Sequence, residues 1–298
     1  MNAKKLMIIG AHCSIILLWA SAFPGIRAGM QSYSPEHLAL LRLLIGSAAL
    51  AVFAFVTRMR LPDVRDLPAI FILGFLGFTV YHTALNIGEQ TVSAGPASLI
   101  VSLTPVFSAA LAALFLGERF GWVRWLGSAI SFAGVALISM GTGDGFEIQT
   151  GILFVLLASV SESVYFVLQT KYFNKYGFLA FTAYTIWAGT ILMLIYLPGL
   201  GGEILQASAE STLSAVYLGL FPTVIPYIAL AFLASKGGAS EATSSLYLTP
   251  ALAFVIAWIW LGEIPAVLSI AGGVVALIGV LVIHVKDSHA EHGAVAAK

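Results

Sequence analysis

Glu162 sits inside the apolar run ILFVLLASVSESVYFVLQ (152–169), about twelve residues into a stretch long enough to cross a bilayer as a helix. An ionised acid at that depth costs roughly 2.5–3.5 kcal/mol on insertion scales. Such a group must face a cavity, find a cation or take up a proton. It could hold a substrate ammonium or a coupling proton, or stay neutral and bonded to a nearby Ser or carbonyl. His82 raises the same question, with Asn86 and Glu89 on its helical face. A histidine titrates in the range that proton coupling uses, yet many membrane histidines only pack and hydrogen-bond. Glu162 and His82 are therefore candidates both for substrate binding and for carrying a proton.

Other side chains could shape such a pocket. Trp19, Tyr81, Tyr165 and Tyr247 offer aromatic faces that stack a flat group or hold a cation. Ser102 and Ser244, with Ser98 and Ser245 nearby, could contact a carboxylate or amine, or bond their own helices. Arg42 is expected to neutralise Glu36 or Glu89. Trp258 and Trp260 are read as lipid-facing or interfacial. Chemistry of other kinds finds little footing. Asp63, Asp66, Asp144 and Asp287 all fall outside the apolar runs, so paired-acid catalysis lacks its groups. Neither an H-E-x-x-H zinc motif nor a phosphate-binding P-loop is present. No metal or cofactor is expected, and the chain is not read as an enzyme. A Ser–His pairing and a channel remain as alternatives in other classes.

The elements that hold these residues follow from composition. The chain has 298 residues, 59% hydrophobic and only 9% charged, with a mean hydropathy of +0.97. A soluble domain carries about 25% charged residues. The reading is an all-α polytopic membrane protein whose partner is the lipid bilayer. Net charge is zero, so no nucleic-acid partner is implied, and Cys13 is the single cysteine. Ten spans are expected, near 6–27, 36–57, 68–88, 93–116, 122–141, 150–170, 178–198, 212–235, 239–261 and 265–285. MNAKK followed by an apolar run and Ala20-Ser21-Ala22 imitates a cleaved signal, but the run continues, so it is read as the first span. With the N-terminus in the cytoplasm, 12 of the 14 Lys and Arg residues fall on the cytoplasmic side. That places both termini inside. Residues 287–298 are read as a disordered polar cytoplasmic tail.

One phrase organises the spans. LTPVFSAALAALFLGE (103–118) returns as LTPALAFVIAWIWLGE (248–263), a shift of 145 residues. Gly127 and Gly134 fall on Gly272 and Gly279 under the same shift. The chain is thus read as two five-helix repeats, residues 1–141 and 150–286, joined by a loop at 142–149. Five is odd, so the second copy lies inverted around a central cavity, an arrangement typical of secondary transporters. Pro105 and Pro250 are expected as mid-span kinks or hinges that free the carbonyls of Val101 and Leu246. Gly117-Glu118 and Gly262-Glu263 close their helices, the Glu receiving nearby donors. The stripes Gly127/Ser131/Gly134 and Gly272/Ala276/Gly279 allow close helix approach, within one chain or between two.

LLWASAFPGIRAG (17–29), SPEHLALLRLLIGSAAL (34–50), ASLIVSLTPVFSAALAALFLGE (97–118) and LGSAISFAGVALI (126–138) resemble the drug/metabolite transporter superfamily, specifically its ten-helix EamA-type exporters. Within it the chain is most similar to inner-membrane exporters of aromatic amino acids and small metabolites. The resemblance implies a cavity lined by spans 1, 3, 4, 6, 8 and 9, and export without ATP. A small-molecule substrate is expected, amino acid or metabolite, with the chain a monomer or weak homodimer. Arg42 matches a basic position of family span 2, whereas Glu162 departs from a position usually aromatic or small. A metabolite antiporter with a phosphorylated substrate is the alternative within the fold, though it wants more intramembrane basic residues than Arg42 and Arg27.

Overall fold

The computed structural model describes residues 3–116, 122–142, 150–243, 246 and 248–296. Gly117, Glu118 and the loop at 143–149 lie outside them. Among the described residues the regular structure is helical. In chain order the helices are α1 (Ala3–Gly29), α2 (Pro35–Thr57), α3 (Leu67–Gly74), a π-helical turn (Phe75–Val80) and α4 (Tyr81–Gly88). Next come α5 (Ala94–Val101), α6 (Thr104–Leu116), α7 (Trp122–Thr142), α8 (Thr150–Gln169), α9 (Phe173–Tyr176) and α10 (Phe178–Met193). The last are α11 (Leu200–Gln206), α12 (Ala209–Leu220), α13 (Ile225–Thr243), α14 (Thr249–Leu261) and α15 (Val267–Ala296).

Six helical segments are long and apolar enough to cross a membrane: 5–29, 35–57, 64–88, 150–176, 178–196 and 209–236. Four shorter apolar helices, 94–108, 125–138, 249–261 and 267–279, stand between and after them. The surface they present is apolar: Leu17, Val52, Ile72, Leu153, Ile191 and Ile259 are all exposed. Water gives such a surface nothing, and lipid accepts it. The protein is a multi-pass membrane protein.

Starts and stops have local causes. Extended Ser34 precedes Pro35 at the first turn of α2, where a proline's missing N–H costs nothing. Gly262 ends α14 at φ +68°, a left-handed conformation that a side chain resists. Three features differ from the sequence expectation. α13 continues through Gly237 and Gly238 to Thr243, where a connection between spans was expected; the alanine- and serine-rich stretch that follows still permits a helix. α15 runs to Ala296, so the polar tail from Asp287 is helical and not irregular, its alanines favouring that state. Pro105 and Pro250 do not kink continuous helices. Each lies in the first turn after a break, at Ser102–Leu103 and before Thr249, where its missing N–H needs no partner.

The packing pairs the two halves. α7 and α15, equivalent in the repeat, lie side by side. A Cβ on Gly134 would meet the Gly272 carbonyl at 2.5 Å, and one on Gly279 the Gly127 carbonyl at 2.5 Å. Residue numbers rise along one helix as they fall along the other, so the pair is antiparallel. Shifting the first contact by 145 residues converts it into the second. Ser131 Oγ donates to the carbonyl of its own repeat mate, Ala276, at 3.1 Å, which puts the pseudo-axis there. The small-residue stripes therefore pack within one chain. The same operation relates other neighbours. Gly46 meets Gly219 between α2 and α12, as Gly189 meets Gly74 between α10 and α3. α1 packs on α12, α13 and α14, while α8 packs on α4, α5 and α6.

Candidate functional site

The cavity lies where the helices are interrupted. Span 64–88 carries its π-helical turn just before Tyr81, and Phe221–Val224 opens into a turn just before Tyr227, its repeat mate. Breaks near Ser102 and Leu246 complete the set. Irregular backbone inside a membrane persists where protein satisfies it. Thr104 Oγ1 donates to the Val101 carbonyl at 2.7 Å, and Ser102 Oγ donates to that of Leu246 at 3.4 Å, across the two halves. Trp19 Nε1 donates to the Pro222 carbonyl at 3.1 Å.

These groups border a cavity of about 480 Å³. Its walls are Trp19, Phe23, Ile26, Arg42, Tyr81, His82, Ser98, Ser102, Glu162, Tyr227, Leu246 and Thr249, with smaller apolar neighbours. Glu162 is buried and accepts from the Tyr227 hydroxyl at 3.0 Å. Tyr227 meets Trp19 edge-on with ring centroids 5.2 Å apart, and Phe78 at 4.8 Å. Arg42 is also buried, and its Nε donates to Thr223 Oγ1 at 3.1 Å. It pairs with neither Glu36 nor Glu89 among the described residues, because α2 turns it into the cavity. His82 Nδ1 lies 3.0 Å from the Phe78 carbonyl, and its Nε2 has no protein partner.

Of the residues singled out by sequence, the structure gathers Trp19, Tyr81, His82, Ser102 and Glu162 around this cavity. Tyr165 is elsewhere. Its ring packs beneath Gly77, where a Cβ would come within 2.5 Å of it, and its hydroxyl lies 3.2 Å from Thr185 Oγ1. Ser244 and Tyr247 lie outside the described residues. The sequence analysis gives Arg42 only a charge-neutralising role and does not single out Tyr227, yet both line the cavity. The mating of Tyr227 with Tyr81 was the available signal. Among the described residues no cluster of His, Cys, Asp and Glu could hold a metal ion.

A multi-pass helical protein built from two matched halves, with a cavity of mixed polar and apolar lining between them, has the architecture typical of secondary transporters. The model of the EamA-like transporter family matches residues 6–140 and again 149–285. The chain belongs to that family, and it is a transporter. It is 60% identical to the uncharacterized transporter YdfC of Bacillus subtilis (strain 168), over 96% of this chain and 94% of that one. It is 39% identical to a probable terminal-alkyne amino-acid exporter of Streptantibioticus cattleyicolor, over 90% of each chain. A solved crystal structure covers 94% of this chain and 97% of its own at a TM-score of 0.66 and 19% identity, a likeness of fold alone.

Proposed function

We propose that the chain is a secondary carrier that exports neutral and aromatic amino acids and related small metabolites across the inner (plasma) membrane. One observation carries this reading. Among the described residues the cavity holds one cation, Arg42, and one carboxylate, Glu162, that do not pair with each other. Opposite charges facing one low-dielectric space favour a zwitterion that completes both pairs. Arg42 suits the carboxylate, since its planar fork binds such groups through two parallel bonds. Glu162 suits the ammonium, and Trp19, Phe23, Tyr81 and Tyr227 suit an apolar or flat side chain. A single arginine serves a phosphorylated substrate poorly. The amino-acid exporter among the relatives points the same way.

Ten spans complete the proposal: the six long segments plus the four short ones, with both termini in the cytoplasm. The antiparallel packing of α7 on α15 fits two inverted halves that exchange roles, opening the cavity to each side in turn. Glu162 and His82 are the groups that couple substrate to protons. Counterflow of labelled amino acids in proteoliposomes, with and without a pH gradient, tests the scheme. Saturable exchange is expected. Glu162→Gln and Arg42→Lys are each expected to lose about tenfold or more in kcat/KM, one charged hydrogen bond's worth. Wild-type exchange in both variants, or chemical conversion of the amino acid, defeats the reading. Impermeant labelling of Asp63→Cys and Gln206→Cys is expected to find them on opposite sides.

A further inference from the structure

A second polar cluster, unused by the carrier's cavity, sits between that cavity and the membrane face where α1 ends. Arg27 Nε lies 3.2 Å from Glu263 Oε1, and its Nη1 donates to the main-chain carbonyl of Glu89 at 2.6 Å. The second oxygen of Glu263 accepts the Ala94 N–H at 3.1 Å. The ends of α1, α4, α5 and α14 are thus tied at one point. Outside it opens a vestibule of about 1200 Å³ whose walls include Arg27, Tyr33, Ser34 and Glu263. Inside it the cavity begins at Ile26, the neighbour of Arg27. The tie therefore stands between the two spaces, where a barrier would lie.

Glu89 is the unusual member. It is entirely buried, and neither carboxyl oxygen has a protein partner. Arg27 touches its backbone and spends its side-chain pairing on Glu263. The charged groups that act on Glu89 are Arg27, Glu263 and Arg42. Asn86 Oδ1 and His82 Nε2 are likewise buried and unpartnered. Residues 82, 86 and 89 share one helical face. A row of unfilled polar ends therefore runs along that face from the cavity wall to the tie. A buried carboxylate without donors is far costlier than the neutral acid, so this arrangement is compatible with a protonated Glu89.

We propose that Glu89 is a proton-binding site that controls the barrier. With the proton on Glu89, Arg27 pairs with Glu263 and holds α1 to α14. When the Glu89 O–H bond breaks and a vestibule water takes the proton, the new carboxylate competes for Arg27. The link to Glu263 weakens and the barrier opens. This consequence rests on the carrier reading; the proton site itself does not.

Infrared difference spectroscopy of the full-length chain in lipid vesicles, titrated from acid to neutral pH, tests it without any substrate. Glu162 is itself a buried acid, so the variants are read in a Glu162→Gln background, where a protonated-carboxyl band is expected to titrate and to vanish on adding Glu89→Gln. In Glu89→Asp, which keeps an acid, the band is expected to persist at a shifted frequency. Glu263→Gln leaves Arg27 free for Glu89, and the band's midpoint is expected to fall by about one pH unit or more, a tenfold change in proton affinity. A band unaltered in Glu89→Gln and Glu89→Asp, or a midpoint unmoved in Glu263→Gln, overturns the proposal. Absence of amino-acid exchange in proteoliposomes defeats the carrier reading, whereas the infrared titration still decides whether Glu89 binds the proton.

Discussion

Two latches bridge the halves at opposite faces, in equivalent places of the repeat. At the face where α1 starts, Lys175 Nζ lies 2.5 Å from Asp63 Oδ2 and 2.6 Å from Asp66 Oδ2. Tyr176 and Tyr184 add hydroxyl bonds to Asp66 and to the Arg60 carbonyl. At the other face His37 Nδ1 lies 2.8 Å from Glu203 Oε1, and Nε2 lies 3.1 Å from the Pro198 carbonyl. The Nδ1 contact is an ion pair when His37 is protonated; burial disfavours that charged state, but Glu203 and the Pro198 carbonyl outweigh it. Ser34 N–H donates to Glu203 Oε2 at 3.0 Å. The first latch pairs the segment after α2 with the segment after α8; the second pairs the segment after α10 with the junction of α1 and α2. The scaffold repeated its geometry and changed its chemistry. A lysine keeps its charge up to about pH 10, whereas an imidazole ordinarily loses its charge near pH 6.5. One latch is built to be constant and the other to respond to pH.

The strongest challenge to this comparison comes from the shared seam. A Cβ on Gly134 would lie 2.4 Å from the Ala276 nitrogen, and one on Gly279 would lie 2.5 Å from the Ser131 nitrogen. Backbone cannot yield there as a flexible side chain would. Gly134→Ala and Gly279→Ala are expected to lower stability by about 1–3 kcal/mol each. Thermal unfolding in detergent reads the loss. Unequal costs would show that the two faces of the seam are not equivalent after all.

A smaller effect separates the latches. Burial pushes the Glu203 carboxyl up, but the Ser34 N–H and His37 outweigh it and hold the carboxyl below the usual range. A depressed acid contributes above its unfolded pKa, and its contribution fades as pH falls through the folded value. The His37 charge fades in the other direction, as pH rises past the imidazole range. The far latch therefore has a window of pH, closed by acid on one side and by base on the other. Glu203→Gln is expected to cost at most about 1 kcal/mol within that window and to flatten the stability–pH curve at both edges. A curve of unchanged shape speaks against a titrating latch.

The smallest change is expected at the near latch. Lys175 and Asp63 are largely solvent-exposed, with side-chain accessibilities of 48% and 62%. Water screens such a pair. Lys175→Ala is expected to shift the unfolding temperature only slightly, and by the same amount at mildly acid and neutral pH. A pH-dependent shift would erase the distinction between the two latches.

Much of this architecture was legible in the residues. The Gly262-Glu263 ending announced a helix stop and a carboxylate in need of donors, and the structure supplies Arg27 and Ala94. The freed carbonyls behind Pro105 and Pro250 needed partners and found Thr104 and Ser102. Tyr165 lies on a span that borders the cavity, but which of its faces turns inward is not written along the chain. Gly77 stands opposite, and its bare backbone draws the ring into the core.

The sequence by itself determined that the chain is apolar enough to live in lipid as helices, and that one half repeats the other. Those properties reside in composition and in spacing along the chain. Only the tertiary structure decided that Arg42 enters the cavity, that Tyr227 reaches Glu162, and that Glu89 is left without a partner beside Arg27. These are relations between residues up to 236 positions apart, as in Arg27 and Glu263. The repeat gives the place of each helix, but the rotation of each about its axis is set by packing against neighbours, so which polar groups meet is a property of the assembled fold.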